Sequence, residues 1–157
     1  MNYFQLPKID LHCHLDGSIR PETAFELAVA NRLAESEDKD ALIQSLSVPE
    51  DCKNLDEYLN CFALPLKVMQ TKAALTRISF ELFEDAAREN VKYLEVRFAP
   101  LLHQTQGLSL AEIIESVVEG MKRAETMYDI RGNYILSVLR GMPTTKLNPS
   151  SMPVYLG

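Results

Sequence analysis

"PKIDLHCHLDGSIRPET", residues 7–23, decides how the rest of the chain is read. Its opening alternates with period two. Ile9, Leu11 and Cys13 point to one side and Asp10, His12 and His14 to the other, the pattern of a β-strand. Two imidazoles one residue apart then share a face of the sheet, with Cα atoms about 6.5–7 Å apart. Rings of that reach can lean onto a single ion with Zn–N bonds of about 2.0–2.1 Å. The pair is half a metal site, since a catalytic zinc takes at least three protein ligands. Asp16 brings a carboxylate within reach of the same pocket, and Gly17 permits a tight turn or close approach of a ligand. Taken alone, the tripeptide also fits two histidines hydrogen-bonded at a sheet end, and Asp16 also fits a turn or capping residue.

Outward from this strand, the spacing predicts helices. In "SIRPETAFELAVANRLA" (residues 18–34) Pro21 and Glu22 make a favourable start, with Phe25, Leu27, Ala28 and Leu33 on the apolar side. "EDKDALIQSLS" predicts a short second helix. Asn54 reads as the N-cap of "LDEYLNCFALPLKVM", where Leu55, Tyr58, Leu59 and Phe62 fall at helical spacing and Pro65 should kink or end the run. "TKAALTRISFELFEDAAREN" places Leu75, Ile78, Leu82 and Ala86 on one face. "VKYLEVRFAP" predicts the second strand, stopped by Pro100. Ser109 and Glu112 have capping-box spacing at the start of the next helix, with Ile113, Ile114, Val117, Val118, Met121 and Ala124 as its stripe. "NYILSVLRG" predicts the third strand. Strands alternating with long helices argue for parallel βαβ units and an α/β fold.

The bulk figures narrow the function. A net charge of −6 over 157 residues, with lysines and arginines scattered singly, argues against nucleic acid or an anionic membrane as partner. No apolar run approaches the roughly 20 residues of a membrane-spanning helix. The start of the chain lacks the basic and apolar pattern of a secretory signal. Cys13, Cys52 and Cys61 match no zinc-finger spacing and fit reduced thiols in a cytoplasm. Rossmann and P-loop glycine patterns are absent, so no nucleotide cofactor is indicated. Glu95 and Arg97 share a strand face and read as a structural ion pair, while His103 reads as a surface histidine.

"KIDLHCHLDGSIRPET" resembles the opening signature of the adenosine deaminase family, zinc-dependent hydrolases on a (β/α)8 barrel. The likeness continues through "RISFELFEDAARENVKYLEVRFAP" and "YILSVLRGMP", covering roughly Leu6 to Pro143. "HLDGS" leans away from the adenine deaminases, which more often carry "HLEGT". The resemblance implies that His12 and His14 are zinc ligands, and that His14 also lies against a bound purine nucleoside. It implies that Asp16 accepts a hydrogen bond from a ribose hydroxyl, and that Leu55, Tyr58, Leu59 and Phe62 form an apolar gate over the purine. Without it, those four read as core packing. The implied reaction is hydrolysis of adenosine to inosine and ammonia, with Zn2+ supplying the activated water.

A full barrel runs to about 250 residues, whereas only three strands are predicted here. Residues 1–143 then read as the N-terminal part of an incomplete TIM-like (β/α)8 barrel, and 144–157 as an irregular tail that departs from the family. The family's catalytic glutamate, histidine and aspartate have no counterpart in this chain. The chain is therefore expected to be truncated, inactive by itself, and prone to self-association through an exposed barrel edge. The contrasting expectation is a non-catalytic α/β fragment that acts as a regulatory or binding module.

Overall fold

The computed structural model describes residues 3–35 and 39–138. The 144–157 tail and the last residues of the predicted third strand, 139–141, lie outside the described residues.

Strand β1 (Lys8–His14) pairs in parallel with β2 (Val91–Phe98), which pairs in parallel with β3 (Arg131–Leu136), giving the order β1-β2-β3. Strand β2 follows the period-two pattern in its burial, whereas Ile9 and Leu11 of β1, expected on one side with Cys13, are exposed, and the third strand starts two residues before the predicted Asn133. Along β2, Leu94, Val96 and Phe98 are buried, while the intervening Tyr93, Glu95 and Arg97 are only partly so. The buried set meets helices, and the alternate set faces the other side of the sheet.

Five helical segments separate β1 from β2. They are α1 (Pro21–Ala30), α2 (Lys39–Ser45), α3 (Leu55–Asn60), α4 (Ala63–Val68) and α5 (Lys72–Arg88), and α6 (Leu110–Met127) then leads into β3. Pro21 sits at the start of α1, where a missing N–H costs nothing. The predicted helix over 55–69 is two helices. Pro65 does interrupt it, one turn earlier than its own position: a proline ring cannot sit against the carbonyl four residues back, here that of Cys61, so the break falls at Cys61–Phe62. The Asn54 side chain accepts from the Glu57 amide, as its N-cap spacing predicts. Ser109 and Glu112 complete the capping box of α6.

The core lies between the sheet and the α5–α6 pair. Leu75, Ile78 and Phe83 of α5 meet Ile113, Ile114, Val117 and Ala124 of α6, with Leu94, Val96 and Phe98 from the sheet. Ala86, expected on the buried α5 face, is only partly covered. The two helices approach closely because hydroxyls take up carbonyls across the seam. Ser79 Oγ donates to the Val117 carbonyl at 2.6 Å and Thr76 Oγ1 to the Ser116 carbonyl at 3.0 Å. Tyr134 of β3 in turn donates to Ser79 Oγ at 2.7 Å, and its burial pushes the phenol pKa up.

An ionic cluster ties the start of α1 to α5. Arg20 Nε donates to Asp85 Oδ2 at 2.8 Å and the same guanidinium reaches Glu84 Oε2 at 2.6 Å. Thr23 Oγ1 donates to Glu81 Oε2 at 2.6 Å, and Arg77 Nε to Glu81 Oε1 at 2.8 Å. Single charges scattered in the sequence carried no signal of this convergence.

Among the described residues no helix is long and apolar enough to cross a membrane.

Candidate functional site

The C-terminal ends of the three strands open into one cleft of about 840 Å³. His12 and His14 come from β1, Phe98 and Ala99 from the end of β2, and Ser137 from just after β3. Parallel α/β sheets bind ligands at this end, because the loops there are free to vary while the strands hold them rigidly.

Strand β1 reaches the cleft with an irregularity. Between Asp10 and Cys13 it advances three residues while β2 advances two, from Leu94 to Val96. The His12 amide leaves the ladder and donates to Asp10 Oδ1 at 2.9 Å. Such a bulge re-aims the side chains beside it. The result here is convergence: His12 Nε2 and His14 Nε2 stand 3.2 Å apart, with the rings tilted by 31°. A tetrahedral ion with bonds of about 2.0–2.1 Å separates two ligand nitrogens by roughly 3.3–3.4 Å, so this pair fits two corners of a zinc site. Among the described residues, no group of three or more His, Cys, Asp or Glu side chains is arranged to hold a metal ion.

The loop after β1 is pinned by Ser18, whose hydroxyl donates to the His14 carbonyl at 2.6 Å. With that proton committed, the Cys13 thiol donates to Ser18 Oγ, 3.1 Å away. Burial raises the Cys13 pKa, partly offset by this contact. Asp16 lies on the cleft wall, and its Oδ1 is buried without a hydrogen-bond partner. Gly17 matters for its lack of a side chain, since a Cβ there would stand 3.2 Å from Phe62 Cε1.

Three of the four predicted gate residues, Tyr58, Leu59 and Phe62, line the cleft. Tyr58 and Phe62 pack with ring centroids 5.4 Å apart. Leu55 is not on the lining and is 67% exposed, at the first residue of α3 and one turn before Leu59. Leu46, Val48, Cys61, Pro65, Leu66 and Leu102 also line the cleft and escaped sequence reading. Their apolar character is indistinguishable from that of core residues until the chain is folded.

Two expectations near the site are corrected. His103 is buried, 1% exposed, with Nδ1 donating to the Met69 carbonyl at 2.9 Å and its ring beside Phe98. The turn that Pro100 starts, Pro100–His103, folds the ring inward. Burial lowers the His103 pKa, opposed by the Met69 carbonyl and by the charge of Asp16. Glu95 and Arg97 form no ion pair. Glu95 Oε1 accepts from the Tyr93 hydroxyl at 3.2 Å, while Arg97 Nε is buried with no partner. Residues two apart on a strand share a face but stand about 7 Å apart at Cα, and rotamers decide whether their heads meet.

Residues 7–149 match the family model described as adenosine deaminase. The chain is 68% identical over 143 residues to an adenosine deaminase of Vibrio atlanticus, covering 91% of this chain and 43% of that protein. It is 63% identical over 149 residues to an adenosine deaminase of Shewanella halifaxensis, covering 94% and 45%. The chain thus spans less than half the length of the curated relatives it matches. Among solved structures it is similar to an amidohydrolase from Burkhoderia ambifaria with bound Zn, at 26% identity and a TM-score of 0.76, covering 92% of this chain and 39% of that one. It is also similar to Arabidopsis ADAL complexed with GMP, at 31% identity and a TM-score of 0.74, covering 92% and 44%. The open three-stranded sheet corresponds to the N-terminal part of that barrel fold.

Proposed function

The chain belongs to the adenosine deaminase family, and from that premise we propose that it forms part of the site at which a full-length zinc-dependent enzyme hydrolyses adenosine to inosine and ammonia. The observation that carries this reading is the 3.2 Å approach of His12 Nε2 to His14 Nε2 on the wall of the cleft. His12 and His14 hold the ion. Two nitrogens can face one cation only if both are bare, so each ring keeps its proton on Nδ1. Zinc, when bound, supplies a Lewis acid that lowers the pKa of water to about 7.

Asp16 accepts a hydrogen bond from a ribose hydroxyl. Its buried, unpartnered Oδ1 supports this role, because an unpaired buried acceptor costs free energy that a ligand donor recovers. His14 lies against the nucleoside. Tyr58, Leu59 and Phe62 cover the purine and exclude water. No residue of this chain is assigned the acid or base of the reaction. With no third ligand beside the two imidazoles among the described residues, the chain alone holds zinc weakly and turns adenosine over slowly or not at all.

The free thiols of Cys13, Cys52 and Cys61 support a reducing, cytoplasmic setting. The outer edges of β1 and β3, unpaired among the described residues, support self-association.

Calorimetric titration of the purified chain with Zn2+ and then adenosine tests this reading. Zinc uptake lost in His12→Ala and His14→Ala, with adenosine binding weakened by Asp16→Asn, is the expected result. Zinc uptake indifferent to both histidine substitutions would remove the reading.

A further inference from the structure

The lid over the cleft is unevenly attached. Every α3 residue whose side chain is described is exposed, including Leu55, Tyr58 and Leu59. Helix α4 is rooted instead, with Pro65 and Val68 buried and Met69 fully covered just beyond it. At that root sits Gln70, a polar side chain only 4% exposed. A buried amide needs partners for all its polar atoms, and Gln70 finds them on two elements. Its Nε2 donates to the Leu66 carbonyl of α4 at 2.6 Å and to the Leu102 carbonyl after β2 at 2.9 Å. Its Oε1 accepts from the Thr105 amide at 3.0 Å. Next to it, His103 Nδ1 donates to the Met69 carbonyl at 2.9 Å. A carbonyl has no proton to give, so this contact fixes the imidazole tautomer.

We propose that Gln70 and His103 are positioning residues for the cleft: they lash the C-terminal end of α4 to the loop after β2 and set where Tyr58, Leu59 and Phe62 close. Neither side chain lines the cleft, so neither touches a ligand there. Their effect passes through the backbone of Leu66 and Met69 to Phe62, which joins α3 to α4. The α4 end of the lid is thereby held at Met69–Gln70, whereas the exposed α3 end has, among the described residues, no such anchor at that root. The consequence for adenosine rests on the functional reading above, whereas the clamp itself does not.

Amide hydrogen exchange on the whole 157-residue chain tests it. In Gln70→Leu and His103→Leu, the amides of Ala63–Val68 are expected to exchange roughly tenfold faster, while those of α5, α6 and β2 keep their rates. His103→Asn, which carries an N–H close to where Nδ1 stood, is expected to restore the original rates. Adenosine affinity should weaken in the same order. Exchange needs no ligand, so a chain that binds no adenosine removes the functional reading while the exchange rates still judge the clamp. Unchanged α4 rates, or rates rising equally in α5 and β2, would make these two ordinary core groups and overturn the proposal. Where the leucine variants fail to fold, Gln70→Glu gives the same test, because it keeps the size and turns an oxygen toward two carbonyls.

Discussion

Gly120 of α6 crosses Ser79 of α5 so closely that a Cβ on the glycine would stand 2.7 Å from the Ser79 Cβ and 2.3 Å from the Thr76 carbonyl oxygen. The Thr76 backbone cannot step aside without breaking its own helix. Gly120→Ala gains about 1 kcal/mol of helix propensity but overpacks the seam. Overpacking costs about 1–3 kcal/mol, towards the upper end against a backbone atom, so a net loss of about 1–2 kcal/mol is expected, read as a lower urea midpoint at unchanged slope. An unchanged midpoint would mean that the helices part more easily than their packing implies.

Glu112 couples the same seam to pH. Lys72 Nζ lies 2.7 Å from its Oε1, and the Ser109 amide and hydroxyl donate to its Oε2 at 3.0 and 2.8 Å. The lysine first, and then the cap, hold its pKa down at about 2, against an ordinary 4.5. A carboxylate with a depressed folded-state pKa contributes stability that is full above its unfolded value and lost as pH falls through its folded value. The urea midpoint should therefore drop between pH 4.5 and about 2. Glu112→Gln should flatten part of that drop, and added salt should shrink it, since the pair is exposed. Identical acid profiles for the two proteins would count against this assignment.

Glu84 works in the same direction. The Tyr128 hydroxyl first, and then Arg20, lower its pKa. Tyr128→Phe removes the larger cause. The variant should lose stability at neutral pH and lose less than the parent on acidification, measured by thermal melting across that range.

The histidine pair predicts an asymmetry in metal uptake. His12→Ala and His14→Ala each leave one imidazole and should lose the weak zinc uptake seen by calorimetric titration, whereas Asp10→Asn keeps the side-chain oxygen that receives the His12 amide and should retain it. Loss of zinc from Asp10→Asn at the level of the histidine variants would show that the carboxylate charge does more than shape the bulge.

Cys61 and Cys13 both line the cleft, Cys61 beside the gate and Cys13 with a pKa raised by burial. Adenosine should slow alkylation of Cys61, with Phe62→Ala weakening that protection roughly tenfold. Cys13 should react slowly throughout, because fewer of its thiols are ionised. Equal protection of the half-buried Cys52, whose Sγ donates to the Asn54 carbonyl outside the cleft, would mean a general change in the protein and no binding at the cleft.

Much of the architecture was legible residue by residue. Alternation around His12 located β1, the stripe from Ile113 to Ala124 located α6, and Ser109 with Glu112 marked its start. These signals are local, since a strand repeats every two residues and a helix every 3.6, and a capping box spans a single turn. The same locality explains the misses. His103 looks like a loop histidine until Met69, 34 residues earlier, supplies a carbonyl for it. Leu55 and Leu59 share a helical stripe, yet only Leu59 meets the cleft.

The sequence by itself determined that strands and helices alternate, and that His12 and His14 leave β1 on one side. Tertiary structure alone decided that their nitrogens meet at 3.2 Å, through a bulge whose extra residue is defined only against β2. It alone decided that Gln70 and His103 are buried between α4 and the loop after β2. Periodicity reports which way a side chain leaves its own backbone, and a site depends on what other backbones bring to meet it.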